Sequence, residues 1–221
     1  MKSSAIHQRG TVRTVQLALL SAIIFVLALT PLGFIPLGPI NATTIHIPVI
    51  LGAIWLGPAA GGFLGGVFGL SSLLINTVRP GPSSFVFSPF YAASIGMGGA
   101  KNALYSLLIC FLPRILIGVA AGWLYRGLSS LCQKSRAWQT FASGLCGVMG
   151  SFVNTLLVMG GIWLLFGPVY AQQVKNVPYS ALGGIIMGVI GLNGTLEALV
   201  AGVITALISA PVAAVLSRQR R

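Results

Sequence analysis

Six long apolar segments run through this sequence with almost no charge inside them. They cover residues 13–31, 43–57, 58–77, 101–127, 138–167 and 194–217. A helix needs about 20 mostly apolar residues to cross the hydrocarbon core of a bilayer, and spanning helices satisfy their own backbone hydrogen bonds there. The sequence therefore predicts an all-α membrane protein with six transmembrane helices, forming one integral membrane domain over residues 1–221.

Charge is too scarce for a soluble domain. Only 6% of the 221 residues are charged, and the mean hydropathy is +0.94, whereas about 25% charged residues is usual in soluble domains. Glu197 is the single acidic residue against thirteen Lys and Arg. We expect no nucleic-acid partner, because no basic face is interleaved with aromatic residues on a polar scaffold.

The basic residues instead predict the orientation of the chain. Most of them lie in three short groups beside apolar segments: Lys2, Arg9 and Arg13; Arg126, Lys134 and Arg136; Arg218, Arg220 and Arg221. With six spans all three groups fall on one side, while the other side has only Arg79, Lys101 and Lys175. Because Lys and Arg accumulate on the cytoplasmic side, both termini are predicted to be cytoplasmic.

The connections on the opposite side are long, and we expect them to cover an outward-facing cavity. They are residues 31–42, 78–100 and 168–193. Long loops in compact proteins are commonly functional, and aromatic residues in these loops argue against disorder. Residues 179–192 are apolar but short and rich in glycine, which favours an interfacial or re-entrant piece over a seventh span.

Signatures of catalysis and of metal binding are missing. A single carboxylate cannot supply an acid–base pair, and no nucleotide-binding or zinc-protease motif is present. Cys110, Cys132 and Cys146 have neither paired nor metal-ligand spacing, so we expect no disulfide, metal or cofactor.

Arg114 and Glu197 are the charges within apolar segments, where ionisable residues are functional candidates. Inserting an Arg at the bilayer centre costs about 2.5–3.5 kcal/mol, so Arg114 should face a cavity or a partner. It would neutralise an anionic ligand, or else pair with backbone carbonyls or Glu197. Glu197 shares a helix face with Asn193 about one turn below the outer surface, whereas Arg114 lies about three turns deep, which disfavours direct pairing.

More polar candidates lie at the outer ends of the second, third and fourth segments. They are Thr43, Thr44 and His46; Asn76 and Arg79; and Lys101 and Asn102. A site built from them would be cationic with amide donors, which suits a small carboxylate bearing hydroxyl and amide groups. A lone histidine on an apolar helix is more commonly a packing residue, so both interpretations stay open for His46.

Small residues at helical spacing predict close helix contacts. Glycines 57, 61, 65 and 69, with Gly118 and Gly122 on the fourth segment, indicate tight packing within the protein. Ala18 and Ala22 form a shallow groove on the first segment. This groove would receive a helix of the same protein or of a partner.

Four stretches together resemble a known family. They are NATTIHIPVILGAIWLGPAAGGFLGGVFGLSSLL at 41–74, FSPF at 87–90, PRILIGVAAGWLY at 113–125 and LNGTLEALVAG at 192–202. Their order and spacing resemble the S components, which are the substrate-binding membrane subunits of energy-coupling factor (ECF) vitamin transporters. The pattern of Thr43, His46, Pro48 and Val49 resembles the branch assigned to pantothenate and related vitamins.

This resemblance implies a six-helix bundle in the bacterial plasma membrane that binds a small, anionic vitamin. Pantothenate is favoured; folate, pyridoxine, cobalamin and riboflavin are alternatives, because such subunits share a scaffold while their pockets diverge. The implied partners are a transmembrane coupling subunit, which would contact Ala18 and Ala22, and two ATPase subunits. A self-sufficient secondary transporter is less favoured, since the sequence shows no internal repeat and one acidic residue for ion coupling.

Overall fold

The computed structural model describes residues 2–36, 41–131 and 135–219, with side chains for 10–33, 43–131, 135–209 and 211. Several residues used above to predict orientation lie outside this part. Cys132, Lys134, Arg220 and Arg221 lie outside the described residues, as do the side chains of Lys2, Arg9 and Arg218.

The described chain is almost entirely helical. Its α-helices are α1 (Lys2–Leu29), α2 (His46–Leu56), α3 (Pro58–Val78), α4 (Pro89–Ser94), α5 (Ala100–Leu131), α6 (Arg136–Tyr170), α7 (Tyr179–Val189) and α8 (Thr195–Gln219). Two short strands, β1 (Phe34–Pro36) and β2 (Asn41–Thr43), pair antiparallel between α1 and α2. We call the end of the bundle that carries this hairpin the outer end.

Five helical segments are long and apolar enough to cross a membrane, and these confirm the all-α membrane class. They are Gly10–Leu29, Pro58–Val78, Ala100–Leu131, Arg136–Lys175 and Tyr179–Ser209. The second predicted span is shorter than expected, because α2 has only 11 residues. It begins at His46 rather than at residue 43, since Asn41–Thr43 are taken up by strand β2.

A tight turn at Gly57 joins α2 to α3. Gly57 adopts φ 95°, a left-handed backbone conformation that residues other than glycine rarely adopt. Pro58 follows as the first residue of α3. A Cβ at Gly57 would lie 2.6 Å from Nη2 of Arg126. The turn therefore lies at the same end of the bundle as the basic end of α5.

The last two helices correct the sequence-based prediction for residues 168–193. Pro168 lies inside α6, which continues through the π-helical turn Ala171–Lys175. Helix α7 then runs through a second π-helical turn, Ile190–Gly194, directly into α8. The expected loop is thus mostly helix, and the expected interfacial or re-entrant piece is the outer part of one continuous helix.

Glycines bring α3 and α5 into backbone contact, which confirms the predicted tight packing. A Cβ on Gly61 would collide with the carbonyl oxygen of Gly118, and a Cβ on Gly118 with that of Gly61. Gly65 lies in the same way against the backbone of Arg114. These contacts fix the height and rotation of α5 against α3, and therefore the position of Arg114.

Residues 79–99 form a packed cap at the outer end. Phe85, Val86 and Ala92 of this segment are buried in one apolar cluster with Phe166 of α6 and Leu182 of α7. Ser106 of α5 donates to the carbonyl oxygen of Phe85 at 2.8 Å. A second apolar cluster joins α1, α2 and α3, and a third joins α2, α5 and α6.

Candidate functional site

A cavity of about 300 Å³ lies between the outer cap and the helices beneath it. Helices α3, α5, α6 and α8 contribute most of its walls, the cap adds Ser83 and Phe87, and strand β2 adds Thr43. The full lining is Thr43, Phe68, Ser72, Asn76, Ser83, Phe87, Arg114, Asn154, Thr155, Val158, Met159, Asn193 and Glu197. The cavity thus combines one cation, one carboxylate and several amides and hydroxyls with aromatic and aliphatic surface.

Arg114 is held in this wall by a helix defect one residue away. Pro113 lies inside α5 and has no N–H for the carbonyl of Ile109, four residues earlier. Nη1 of Arg114 donates to that carbonyl oxygen at 2.7 Å and so replaces the missing backbone bond. Pro113 therefore leaves a backbone carbonyl without its usual N–H donor, and the charged side chain of the next residue, Arg114, donates to that carbonyl instead.

Two aromatic rings hold the rest of the guanidinium group. Cζ of Arg114 lies 5.4 Å from the ring centroid of Phe68 and 5.0 Å from that of Phe87, both within cation–π range. The side chain is only 7% exposed, and its Nε is buried with no hydrogen-bond partner among the described residues. An unpaired guanidinium donor in a cavity wall is suited to a ligand that carries an acceptor oxygen, above all a carboxylate.

Glu197 ties the β-hairpin to α8. Its Oε1 accepts from the backbone N–H of Thr43 at 2.9 Å, and its Oε2 lies 3.5 Å from Oγ1 of Thr155. The carboxylate is 9% exposed and borders the same cavity as Arg114. Each charge therefore has its own set of partners: a backbone carbonyl and two aromatic rings for Arg114, and two threonines for Glu197.

The helix that carries Glu197 starts earlier than the sequence predicted. The sequence-based expectation counted from a helix start near residue 194, whereas the continuous helix begins at Tyr179. Counted from Tyr179, Glu197 lies about five turns along that helix. Glu197 and Arg114 line the same cavity.

Three asparagines differ in how far their side chains are already engaged. Asn76 donates to the carbonyl of Ser72 at 2.8 Å and accepts from Ser84 at 2.6 Å, which ties α3 to the cap. Asn154 is 8% exposed, and its Oδ1 is buried without a partner in the described part of the chain. Asn193 lies in the π-helical turn before α8 and is half-buried at the cavity. Of these three asparagines, Asn154 is therefore the one whose buried amide oxygen accepts no hydrogen bond from a described residue.

The structure brings together five of the residues predicted as site residues and leaves four outside the lining. Thr43, Asn76, Arg114, Asn193 and Glu197 border the cavity. Arg79 and Lys101 are exposed, with Nζ of Lys101 lying 5.7 Å from the ring centroid of Tyr105. Asn102 donates to the carbonyl of Met97 at 3.0 Å. His46 is fully buried in α2.

Several lining residues were missed by the sequence analysis. Asn154 and Thr155 were detectable, because an adjacent amide and hydroxyl inside an apolar helix are costly in a bilayer and mark functional positions. Phe68, Phe87, Val158 and Met159 carry no such signal, since apolar residues of these types occur throughout the chain.

Ala18 and Ala22 lie away from this cavity on an exposed face of α1. Leu20, Ile24 and Ala28, on the other side of the helix, are buried against α2 and α3. Both alanines are exposed in the part of the chain that the structure describes. The groove that they form is open to lipid or to another protein.

Comparisons with known proteins agree with these features. Residues 13–209 match the family described as "ECF transporter, substrate-specific component". The chain is 32% identical to the pantothenic acid transporter PanT of Lactococcus lactis subsp. cremoris, over 77% of this chain and 76% of that protein. It is 30% identical to the pantothenate transporter PanT of Leuconostoc mesenteroides subsp. mesenteroides, over 83% of this chain and 82% of that protein.

Proposed function

Because this chain belongs to the family of substrate-specific components of ECF transporters, we propose that it captures pantothenate from the outer side of the cell membrane. Members of this family are multi-pass proteins of the bacterial cell membrane that bind a vitamin for import. The choice of pantothenate as the substrate rests on the names of the two relatives, which are pantothenic acid and pantothenate transporters. The observation that supports it most directly is the buried guanidinium of Arg114 in the cavity wall.

The chemistry of pantothenate matches the lining group by group. Its carboxylate would accept from Arg114, whose Nε has no partner among the residues that the structure describes. Its two hydroxyls would donate to Glu197, whose oxygens accept from Thr43 and Thr155. Its amide would bond Asn154 or Asn193, and its dimethyl group would lie against Val158 and Met159. Arg79 and Lys101, being exposed, would act at the cavity mouth by attracting anions rather than by direct pairing.

The proposed orientation places the hairpin and the cap outside the cell and both termini in the cytoplasm. In this arrangement α2 and α3 form a hairpin whose turn lies at the cytoplasmic end, beside Arg126. That position agrees with the enrichment of Lys and Arg on the cytoplasmic side. Together with the five long helical segments, helix α2 would bring the number of membrane segments to six. It is short and would reach only part of the way across the membrane.

Transport by this chain would depend on partners. Its sequence has no nucleotide-binding motif, so energy from ATP would come from two ATPase subunits through a transmembrane coupling subunit. The exposed groove of Ala18 and Ala22 is the proposed contact with that coupling subunit, because small residues let a second helix approach closely.

Calorimetric titration of the purified protein tests the substrate. Pantothenate should bind, and pantothenol, in which an uncharged alcohol replaces the carboxylate, should bind at least about 100-fold more weakly, because it leaves a buried charge unpaired. Equal affinity for the two compounds would contradict the role of Arg114 and favour a neutral vitamin. Absence of pantothenate binding would contradict the proposed substrate itself.

A further inference from the structure

Four of the buried polar atoms without a hydrogen-bond partner among the described residues belong to side chains of α2 and α6. They are Nδ1 and Nε2 of His46, Oγ of Ser151 and Oδ1 of Asn154. His46 and Ser151 are fully buried, whereas Asn154 is 8% exposed and borders the cavity. Since buried polar groups in proteins are nearly always hydrogen-bonded, such a group of atoms requires a physical explanation.

Two sets of contacts place these side chains at the α2–α6 interface. Thr43, just before α2, and Thr155 of α6 both reach the carboxylate of Glu197, so the start of α2 is level with Thr155. Further along α2, Cδ1 of Ile50 lies 2.8 Å from the position that a Cβ on Gly150 would occupy. The two helices therefore run in opposite directions, with these two pairs of residues as fixed points.

His46 lies between those fixed points on α2, four residues before Ile50 and thus on the same helix face. Asn154 lies four residues after Gly150 on the facing side of α6, and Ser151 lies three residues before Asn154. The three side chains consequently share one interface, with His46 and Asn154 one turn above the contact of Ile50 with Gly150 and Ser151 beside that contact.

The donors and acceptors of these side chains are complementary. A neutral imidazole donates from one ring nitrogen and accepts at the other, a hydroxyl can donate, and an amide oxygen can only accept. Ser151 Oγ can donate to one nitrogen of His46, and the other nitrogen can donate to Oδ1 of Asn154. Two hydrogen bonds would then satisfy all four unpaired atoms.

We propose that His46 is a positioning residue for substrate recognition. In the substrate-bound protein, Ser151, His46 and Asn154 form this chain of two hydrogen bonds, which holds Oδ1 of Asn154 inward and turns Nδ2 to the cavity. Asn154 then donates to a carbonyl or hydroxyl oxygen of the substrate, whereas His46 itself does not touch the substrate. This inference rests on the proposed function, because pantothenate supplies the oxygen that Asn154 would recognise.

A double-mutant cycle tests the inference, with pantothenate affinity measured by calorimetry. His46→Leu should weaken binding about tenfold in the wild-type background, the effect of losing one hydrogen bond that orients a donor. In an Asn154→Ala background the same change should have almost no effect, because no amide is left to position. His46→Gln, which keeps a donor and an acceptor, should retain most of the affinity.

Ser151→Ala is a smaller change that also breaks the chain, and it should weaken binding only when Asn154 is present. Thr205→Val is the matched control, since Thr205 is another buried hydroxyl without a partner among the described residues but lies outside the cavity lining. This control should leave the affinity unchanged. Equal losses for His46→Leu in both backgrounds, or no loss in either, would overturn the inference, even though pantothenate binding by the wild type would still uphold the proposed function.

Discussion

The backbone N–H of Thr43 donates to Oε1 of Glu197 at 2.9 Å, across 154 positions of sequence. The bond joins the end of strand β2 to α8 at the edge of the cavity. Glu197 is the chain's only acidic residue. Its carboxylate can have two roles. It fixes the hairpin over the cavity, and it leaves lone pairs available to a ligand hydroxyl.

Glu197→Ala should therefore affect both stability and binding. The change leaves the Thr43 N–H without its acceptor, which should lower the free energy of unfolding by about 1–3 kcal/mol. Glu197→Gln keeps an acceptor oxygen for Thr43 and should be less destabilising, yet it should still weaken pantothenate binding. Thermal unfolding and calorimetric titration measure the two effects separately.

The control for Glu197 is Thr195→Ala. Thr195 is exposed two residues away on the same helix and donates only to the carbonyl of Gly191 within its own helix. It should leave both stability and affinity nearly unchanged. If Glu197→Ala were as stable as the wild type, the bond to Thr43 would not hold the hairpin.

The proposed partner surface on α1 gives a second prediction. Ala18→Trp and Ala22→Trp should prevent co-purification with the coupling subunit, since an indole ring would fill the groove that a partner helix needs. Pantothenate affinity should stay within about threefold of the wild type, because the affected face is exposed and apart from the cavity. Leu164→Trp, on an exposed face of α6, is the matched control and should not affect co-purification.

The glycines of α3 allow a paired test of packing. Gly61→Ala should destabilise the protein by about 1–3 kcal/mol, because the added methyl group would collide with the backbone at Gly118. Gly66→Ala, on the same helix, meets nothing within 4 Å and should be neutral or stabilise by about 0.5–1 kcal/mol through helix propensity. Equal effects of the two substitutions on thermal unfolding would contradict the close contact between α3 and α5.

Much of this architecture could be predicted because a bilayer makes polarity costly. Arg114 and Glu197 were found from sequence by this rule, and Asn154 and Thr155 could have been found by it as well. The rule does not give the rotation of a helix about its axis. Lys101 and Asn102 begin α5 at the outer end, yet their side chains lie outside the lining.

The positions of helix ends were the other source of error. Residues 168–193 were predicted as a connection with an interfacial or re-entrant piece at 179–192. Instead, one π-helical turn extends α6 to Lys175 and a second joins α7 to α8, which leaves only residues 176–178 between the two helices. Tertiary contacts contribute to this outcome, since Leu182 and Ile186 of α7 are buried against the cap and α6. Such contacts involve residues distant in sequence and leave no local pattern to detect.

The last prediction separates the two tasks of Arg114. Arg114→Gln should abolish most pantothenate binding, because a buried charge pair that loses one partner typically costs about 3–5 kcal/mol. The same change also removes the donor to the Ile109 carbonyl, so destabilisation alone could reduce binding. Pro113→Ala compensates for the lost hydrogen bond, because alanine restores the backbone N–H that would donate to that carbonyl.

Four variants then complete the experiment: the wild type, Pro113→Ala, Arg114→Gln and the double variant. Pro113→Ala should bind pantothenate nearly as well as the wild type, and the double variant should recover most of the stability lost in Arg114→Gln. Its pantothenate affinity should stay as low as that of Arg114→Gln, because the charge is still missing. Recovery of binding together with stability would mean that Arg114 serves the helix at Pro113 rather than the ligand.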